Sequence, residues 1–187
     1  MRNPWLYIHG FNSSSGSHKA QLLKEYCQSQ GLELHCPDLS YDPQLAEQQL
    51  QQYSTAGLII GSSLGGFYAL LLASQWQCPV VLINPALWPD QQLAPLVGPQ
   101  QNYYSGQQWQ LLPEHLVTWQ QQRSRLDWHY GQQLLLLQTG DQVIPFAPSV
   151  AALPKARVII EQGGDHGFQG LERYYPLLEQ LADDTKL

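Results

Sequence analysis

Two residue types stand out for their chemistry: a serine framed by glycines, and a histidine in a glycine-rich loop near the far end of the chain. Gly61-Ser62-Ser63-Leu64-Gly65 has glycine two positions to either side of Ser63. Ser62 is flanked at the same spacing by Ile60 and Leu64, so the frame selects Ser63. The motif follows the apolar run Leu58-Ile59-Ile60 and precedes an apolar stretch that starts at Leu64. That strand–turn–helix setting is what a nucleophile elbow requires: a turn so tight that side chains at Gly61 and Gly65 would collide, leaving the serine hydroxyl exposed. A nucleotide-binding loop is disfavoured, because no lysine follows the glycines in the spacing a phosphate cradle needs.

A serine hydroxyl needs a base to take its proton, and the base needs an acid to orient it. On an elbow of this kind the chain order is serine, acid, histidine. Asp141 lies in Thr139-Gly140-Asp141, and His166 in Gly163-Gly164-Asp165-His166, each just after an apolar run. They are the expected acid and base. Asp165 is the alternative acid, although a neighbour of His166 in sequence would struggle to reach the far nitrogen of its ring. Asp127 and Asp38 are weaker alternatives. The oxyanion formed on attack requires backbone N–H donors. Leu64, directly after the nucleophile, supplies one. Phe11, in His9-Gly10-Phe11-Asn12, is expected to supply the other, with Asn12 as the fallback. His9 comes too early in the chain for the base and reads as a strand-end residue that shapes the pocket. His18, His35, His115 and His129 belong to no recognisable constellation.

The elements that position these groups follow from periodicity. Strands are expected at Trp5–His9, Leu32–Cys36, Gly57–Ile60, Val80–Asn84, Leu134–Gln138 and Arg157–Glu161, each a short apolar run closed by glycine, proline or a turn. Helices are expected at His18–Gln30, with Ser17 as its cap, and at Pro43–Tyr53, Leu64–Gln75, Ala147–Leu153 and Leu171–Ala182, after which the chain should fray. Strands alternating with helices imply parallel βαβ units and an open sheet covered on both faces. Residues 85–133 break the rhythm. They are rich in Gln, Pro, Trp and Tyr, with a helix near Pro113–Arg125, and read as an insertion over the active-site edge of a single domain spanning 1–187. Among its aromatics Trp88, Tyr103, Tyr104, Trp109, Trp119 and Trp128, some should line an acyl pocket and the rest pack the insertion. Trp88 and Phe11 are the residues expected to touch substrate.

Composition narrows the partners. With 187 residues and 43% hydrophobic content, the chain can fill one ordinary core. A net charge of -6 with only 9 Lys+Arg gives no electrostatic footprint for nucleic acid and no basic face for an anionic membrane. No apolar run approaches spanning length, so no membrane insertion is expected. Cys27, Cys36 and Cys78 are odd in number and widely spaced, which argues against a disulfide framework or zinc site and favours reduced, partly buried thiols in a cytoplasmic protein. No metal-ligand motif or cofactor signature is present, so neither a metal nor a cofactor is expected.

Taken in order, His9-Gly10-Phe11-Asn12-Ser13-Ser14, Gly61-Ser62-Ser63-Leu64-Gly65-Gly66-Phe67-Tyr68-Ala69, Asn84-Pro85-Ala86, Thr139-Gly140-Asp141 and Gly163-Gly164-Asp165-His166 resemble the YqiA-like bacterial esterases, relatives of YcfP-type proteins. The resemblance spans nearly the whole chain. It implies a compact α/β-hydrolase fold with a mainly parallel sheet of about six strands and helices on both faces. It also implies a triad on Ser63, Asp141 and His166, and hydrolysis of small acyl esters or acyl-thioesters, acyl-CoA included. The alternative, of another class, is a non-catalytic α/β-hydrolase scaffold that binds a ligand or partner.

Overall fold

The β-strands carry apolar residues with little alternation in polarity, as strands buried on both faces do. In a computed structural model, which describes residues 2–183, they form one sheet. Its strands are β1 (Trp5–Ile8), β2 (Leu34–His35), β3 (Leu58–Ser62), β4 (Val80–Ile83), β7 (Gln133–Gln138) and β8 (Arg157–Glu161). They lie in the order β2-β1-β3-β4-β7-β8, and every pairing is parallel. The expected helices are present as α1 (His18–Ser29), α2 (Pro43–Leu50), α3 (Leu64–Trp76), α5 (Pro113–Arg123), α6 (Phe146–Ala152) and α7 (Tyr175–Asp183).

Side chains along a strand alternate between faces, so one sheet builds two cores. Leu6, Ile8, Ile59, Leu135 and Leu137 pack with α2, α3 and α5 on one side. Trp5, Tyr7, Leu58, Ile60, Leu134 and Leu136 pack with α1 and α7 on the other. Helix α3 is buried from Leu64 to Ala73 because it lies against the sheet while α5 covers it, with Trp119 Nε1 donating to Tyr68 Oη at 2.9 Å. This is the α/β-hydrolase fold class expected from the sequence.

Several boundaries shift for local reasons. Ser17 caps α1 as expected, accepting from Ala20 N–H. The helix expected over Leu171–Ala182 is divided into a 3-10 turn, Leu171–Tyr174, and α7. Pro176 lacks an N–H and clashes with the carbonyl four residues back, so an α-helix starting at Leu171 cannot run through it. Strand β3 continues past Ile60 through Gly61 and Ser62. The fraying expected beyond Ala182 falls largely on residues 184–187, outside the described residues.

Residues 85–133 hold a short helix α4 (Pro89–Gln92) and a feature absent from the sequence reading. Strands β5 (Gly98–Gln101) and β6 (Gln108–Leu111) form a separate antiparallel hairpin, pairing Gly98 with Leu111 and Gln101 with Gln108. Half of its strand residues are glutamine, so no apolar alternation marks them. Among the described residues no helix is long and apolar enough to cross a membrane.

Candidate active site

Strand β3 delivers Ser63 into a backbone conformation that side chains seldom adopt, with φ 55° and ψ -125°. The strain is held from several sides. Ser63 N–H donates to Ile83 O at 3.1 Å, and Ser63 O accepts from Gly66 and Ala86 N–H, both at 2.9 Å. Both framing glycines are required by close approach: a Cβ on Gly61 would strike the Gly65 carbonyl, and one on Gly65 would strike the Ile8 carbonyl. The motif therefore lets α3 cross directly above the ends of β1 and β3.

Ser63, Asp141 and His166 follow β3, β7 and β8, three carboxyl ends of one parallel sheet. The structure brings all three together. His166 Nδ1 lies 2.8 Å from Asp141 Oδ2, and His166 Nε2 lies 3.1 Å from Ser63 Oγ. A carboxylate only accepts, so Nδ1 carries a proton, which leaves Nε2 facing the Ser63 hydroxyl. Asp141 is the shielded member, its side chain 1% exposed against 29% for His166. Its second oxygen accepts from Val143 N–H at 2.8 Å and Ile144 N–H at 2.9 Å, so both oxygens are engaged.

The other carboxylates are occupied elsewhere. Asp165 accepts from Gln169 Nε2, Asp127 from His129 N–H, and Asp38 from the Ser15 N–H and hydroxyl. His9 stands at the end of β1 with Nδ1 3.0 Å from the Gly10 carbonyl, and burial pushes its imidazole below the usual histidine range. Its Nε2 lies 3.9 Å from Asp38 Oδ1, which opposes that shift. His18, His35, His115 and His129 make no contact with Ser63 or Asp141 among the described hydrogen bonds.

The loop that carries His166 is held by residues to which the sequence alone assigns no role. Gln138, buried at the end of β7, accepts through Oε1 from Asp165 N–H (3.2 Å) and Gln169 N–H (2.9 Å). Asn84 Nδ2 donates to the carbonyls of Asp165 (3.0 Å) and His166 (3.4 Å), while its Oδ1 accepts from Gln138 N–H. Lys19 reaches over from α1 and donates to Gly167 O at 2.7 Å. Burial pushes its ammonium down to about 8, opposed by the nearby carboxylates Asp165 and Asp141. Lone polar residues give no periodic signal, and only their strand-end positions marked Asn84 and Gln138 as close to the site.

Glu161 ties this loop to the chain that follows. It accepts from Gln138 Nε2 at 2.7 Å, from Tyr174 Oη at 2.6 Å and from Arg173. The Tyr174 hydroxyl foremost, with Gln138 and Arg173, holds its carboxyl down at about 2, from an ordinary value of 4.5, against partial desolvation. A carboxylate whose pKa falls on folding stabilises the fold above its unfolded value, and that contribution is lost as pH drops through the folded one. Glu161→Gln is therefore expected to flatten the acid limb of stability between about 4.5 and about 2. Urea midpoints of the two proteins across that window check it.

For the oxyanion, Leu64 opens α3, where the N–H has no partner within the helix. The Gly10–Phe11 backbone runs beside Ser63: a Cβ on Gly10 would stand 3.0 Å from Ser63 Cβ and 3.5 Å from its Oγ. Among the described residues neither Leu64 nor Phe11 donates its N–H to a backbone carbonyl outside the helices and strands. Next to them opens a slot of about 30 Å³, walled by Phe11, Tyr41, Leu64, Tyr68, Trp109 and Trp119. Phe11 is one of its walls. Trp88 does not line this slot; it stacks on Trp128 with ring centroids 5.7 Å apart. Tyr103 and Tyr104 point outward, 79% and 54% exposed.

Solved structures share this architecture. Est1E from Butyrivibrio proteoclasticus, with bound ferulic acid, superposes with a TM-score of 0.70 at 15% identity, over 98% of this chain and 88% of that one. A monoacylglycerol lipase from Paleococcus ferrophilus gives 0.68 at 15% identity, over 98% and 96%. The esterase domain of a Rhodothermus marinus protein gives 0.66 at 17% identity, over 98% and 86%. At such identities the likeness establishes the fold. The model of the uncharacterised protein family UPF0227 matches residues 4–183, nearly all of the sequence, and the chain belongs to that family, the one that holds the YqiA and YcfP proteins.

Proposed function

We propose that the chain is a serine-dependent carboxylic ester hydrolase acting on small acyl esters and acyl-thioesters. One observation carries this reading: the unbroken chain of hydroxyl, imidazole and buried carboxylate at 3.1 and 2.8 Å. As the Ser63 oxygen attacks the acyl carbonyl, His166 Nε2 takes its proton. Asp141 keeps the imidazole in the tautomer that can accept and stabilises the imidazolium that forms. The N–H groups of Leu64 and Phe11 receive the oxyanion. His166 then protonates the departing alcohol or thiol, and activates a water that releases the acid from Ser63. The esterases and the lipase among the structural neighbours support ester chemistry as the class. The three free thiols fit a reducing, cytoplasmic setting.

The slot beside Leu64 and Phe11 supports a short acyl group. At about 30 Å³ it admits one or two heavy atoms, and its aromatic walls rest on one another, Tyr41 stacked on Trp109 at 4.4 Å. Purified protein is expected to hydrolyse acetyl and propionyl esters and thioesters at least about tenfold faster, by kcat/KM, than octanoyl ones. A fluorophosphonate is expected to label Ser63, and His166→Ala to abolish labelling. Folded protein that neither turns over any ester nor takes the label would refute the reading and leave a binding scaffold.

A further inference from the structure

Asn12 directly follows Phe11 and is itself in a left-handed conformation, φ 53°. It is also 4% exposed, so its carboxamide requires partners. Those partners come from the β5–β6 hairpin, some ninety residues later in the chain. Trp109 Nε1 donates to Asn12 Oδ1 at 2.7 Å, and Asn12 Nδ2 donates to Gln100 Oε1 at 3.1 Å. Tyr103 N–H donates to the Asn12 carbonyl at 2.9 Å, and Asn102 Nδ2 donates to the Ser13 carbonyl at 2.8 Å. Four hydrogen bonds thus bind a loop that belongs to no helix or strand to a hairpin outside the main sheet.

We infer that the hairpin is a latch on the oxyanion loop: by gripping Asn12 it fixes the Phe11 N–H toward Ser63, which makes Asn12, Trp109 and Gln100 positioning residues. The inference rests on the ester-hydrolase reading of Ser63. On the near side of Phe11 stands Gly10, whose backbone has wide freedom. A peptide plane next to such a pivot turns readily unless its far side is held. The far side is Asn12, and the hairpin holds it through both side-chain polar atoms and the carbonyl. Trp109 serves twice, since its ring walls the slot while its indole N–H grips the loop. A two-stranded hairpin is marginal by itself. Asn12 therefore steadies the hairpin as much as the hairpin steadies it.

Two substitutions test the latch, at residues that also border the slot. Trp109→Phe keeps an aromatic ring against Tyr41 and Phe11 but removes the donor. Asn12→Gly keeps access to positive φ and removes the carboxamide. Each is expected to lower kcat for p-nitrophenyl acetate about tenfold or more, with KM changed less than about twofold, because an oxyanion donor acts in the transition state. Labelling of Ser63 by a fluorophosphonate should slow by a similar factor, since its phosphoryl oxygen enters the same hole. The double variant should be no slower than the slower single one, as both act through one contact. Gln100→Leu, half-buried and outside the slot, repeats the test with less disturbance if either variant folds poorly. Wild-type kcat and labelling rate in these variants, or a rise in KM alone, would overturn the latch. A wild-type protein inert to both ester and probe would instead remove the reading beneath it, and the latch with it.

Discussion

Ser63→Ala is expected to lower kcat for a short acyl ester by about 10⁴-fold or more, and His166→Ala by a similar factor. The loss is this large because the two act as one unit: without the hydroxyl there is no nucleophile to form an acyl-enzyme, and without the imidazole the hydroxyl keeps its proton. Removing both should add little to removing either. The fold should be nearly indifferent to Ser63→Ala. Alanine occupies the same backbone conformation, and the side-chain hydrogen bond given up is the one to His166, worth about 1 kcal/mol. Any remaining rate above background would come from the proposed oxyanion donors, Leu64 and Phe11, which are untouched. Initial rates alongside thermal melting check the prediction. A Ser63→Ala protein with wild-type turnover would end the mechanism.

Asp141→Asn is expected to cost about 10⁴ in kcat while leaving the shape of the site intact. The local hydrogen bonds say why. One Asp141 oxygen accepts from the Val143 and Ile144 N–H groups, and the other faces His166 Nδ1. In asparagine the carbonyl oxygen must stay with the two backbone donors, because the amide NH₂ cannot accept from them. The NH₂ then points at Nδ1 and forces it to accept. The ring proton moves to Nε2, which now faces Ser63 as a donor and is useless as a base. The variant should still fold and bind short esters with a KM close to wild type. Steady-state kinetics on the variant test this, and a fall of less than tenfold in kcat would contradict it.

The elbow was legible because it is local. Gly61 and Gly65 are needed wherever a helix turns back over a strand this tightly, so their spacing around Ser63 can be read without coordinates. The same holds for the parallel sheet, since uninterrupted apolar strands such as Leu134–Leu137 admit no solvated face. Asp141 and His166 were found through their places after apolar runs, a positional argument that needed only the count of strands.

What tertiary structure decided is pairing at a distance. Strand order put β7 beside β4 and β8 beside β7, and so brought groups 103 residues apart to 3.1 Å. It singled out Tyr41, Trp109 and Trp119 as slot walls while turning Trp88 against Trp128. It also joined Asn12 to a glutamine-rich hairpin that no hydrophobic pattern announces. Periodicity records which face of an element is dry, and hydrogen bonds between isolated polar residues leave no trace in it. The amino-acid sequence by itself therefore determined the fold class and pointed to the candidate reacting groups, whereas only the folded chain determined what holds those groups in place.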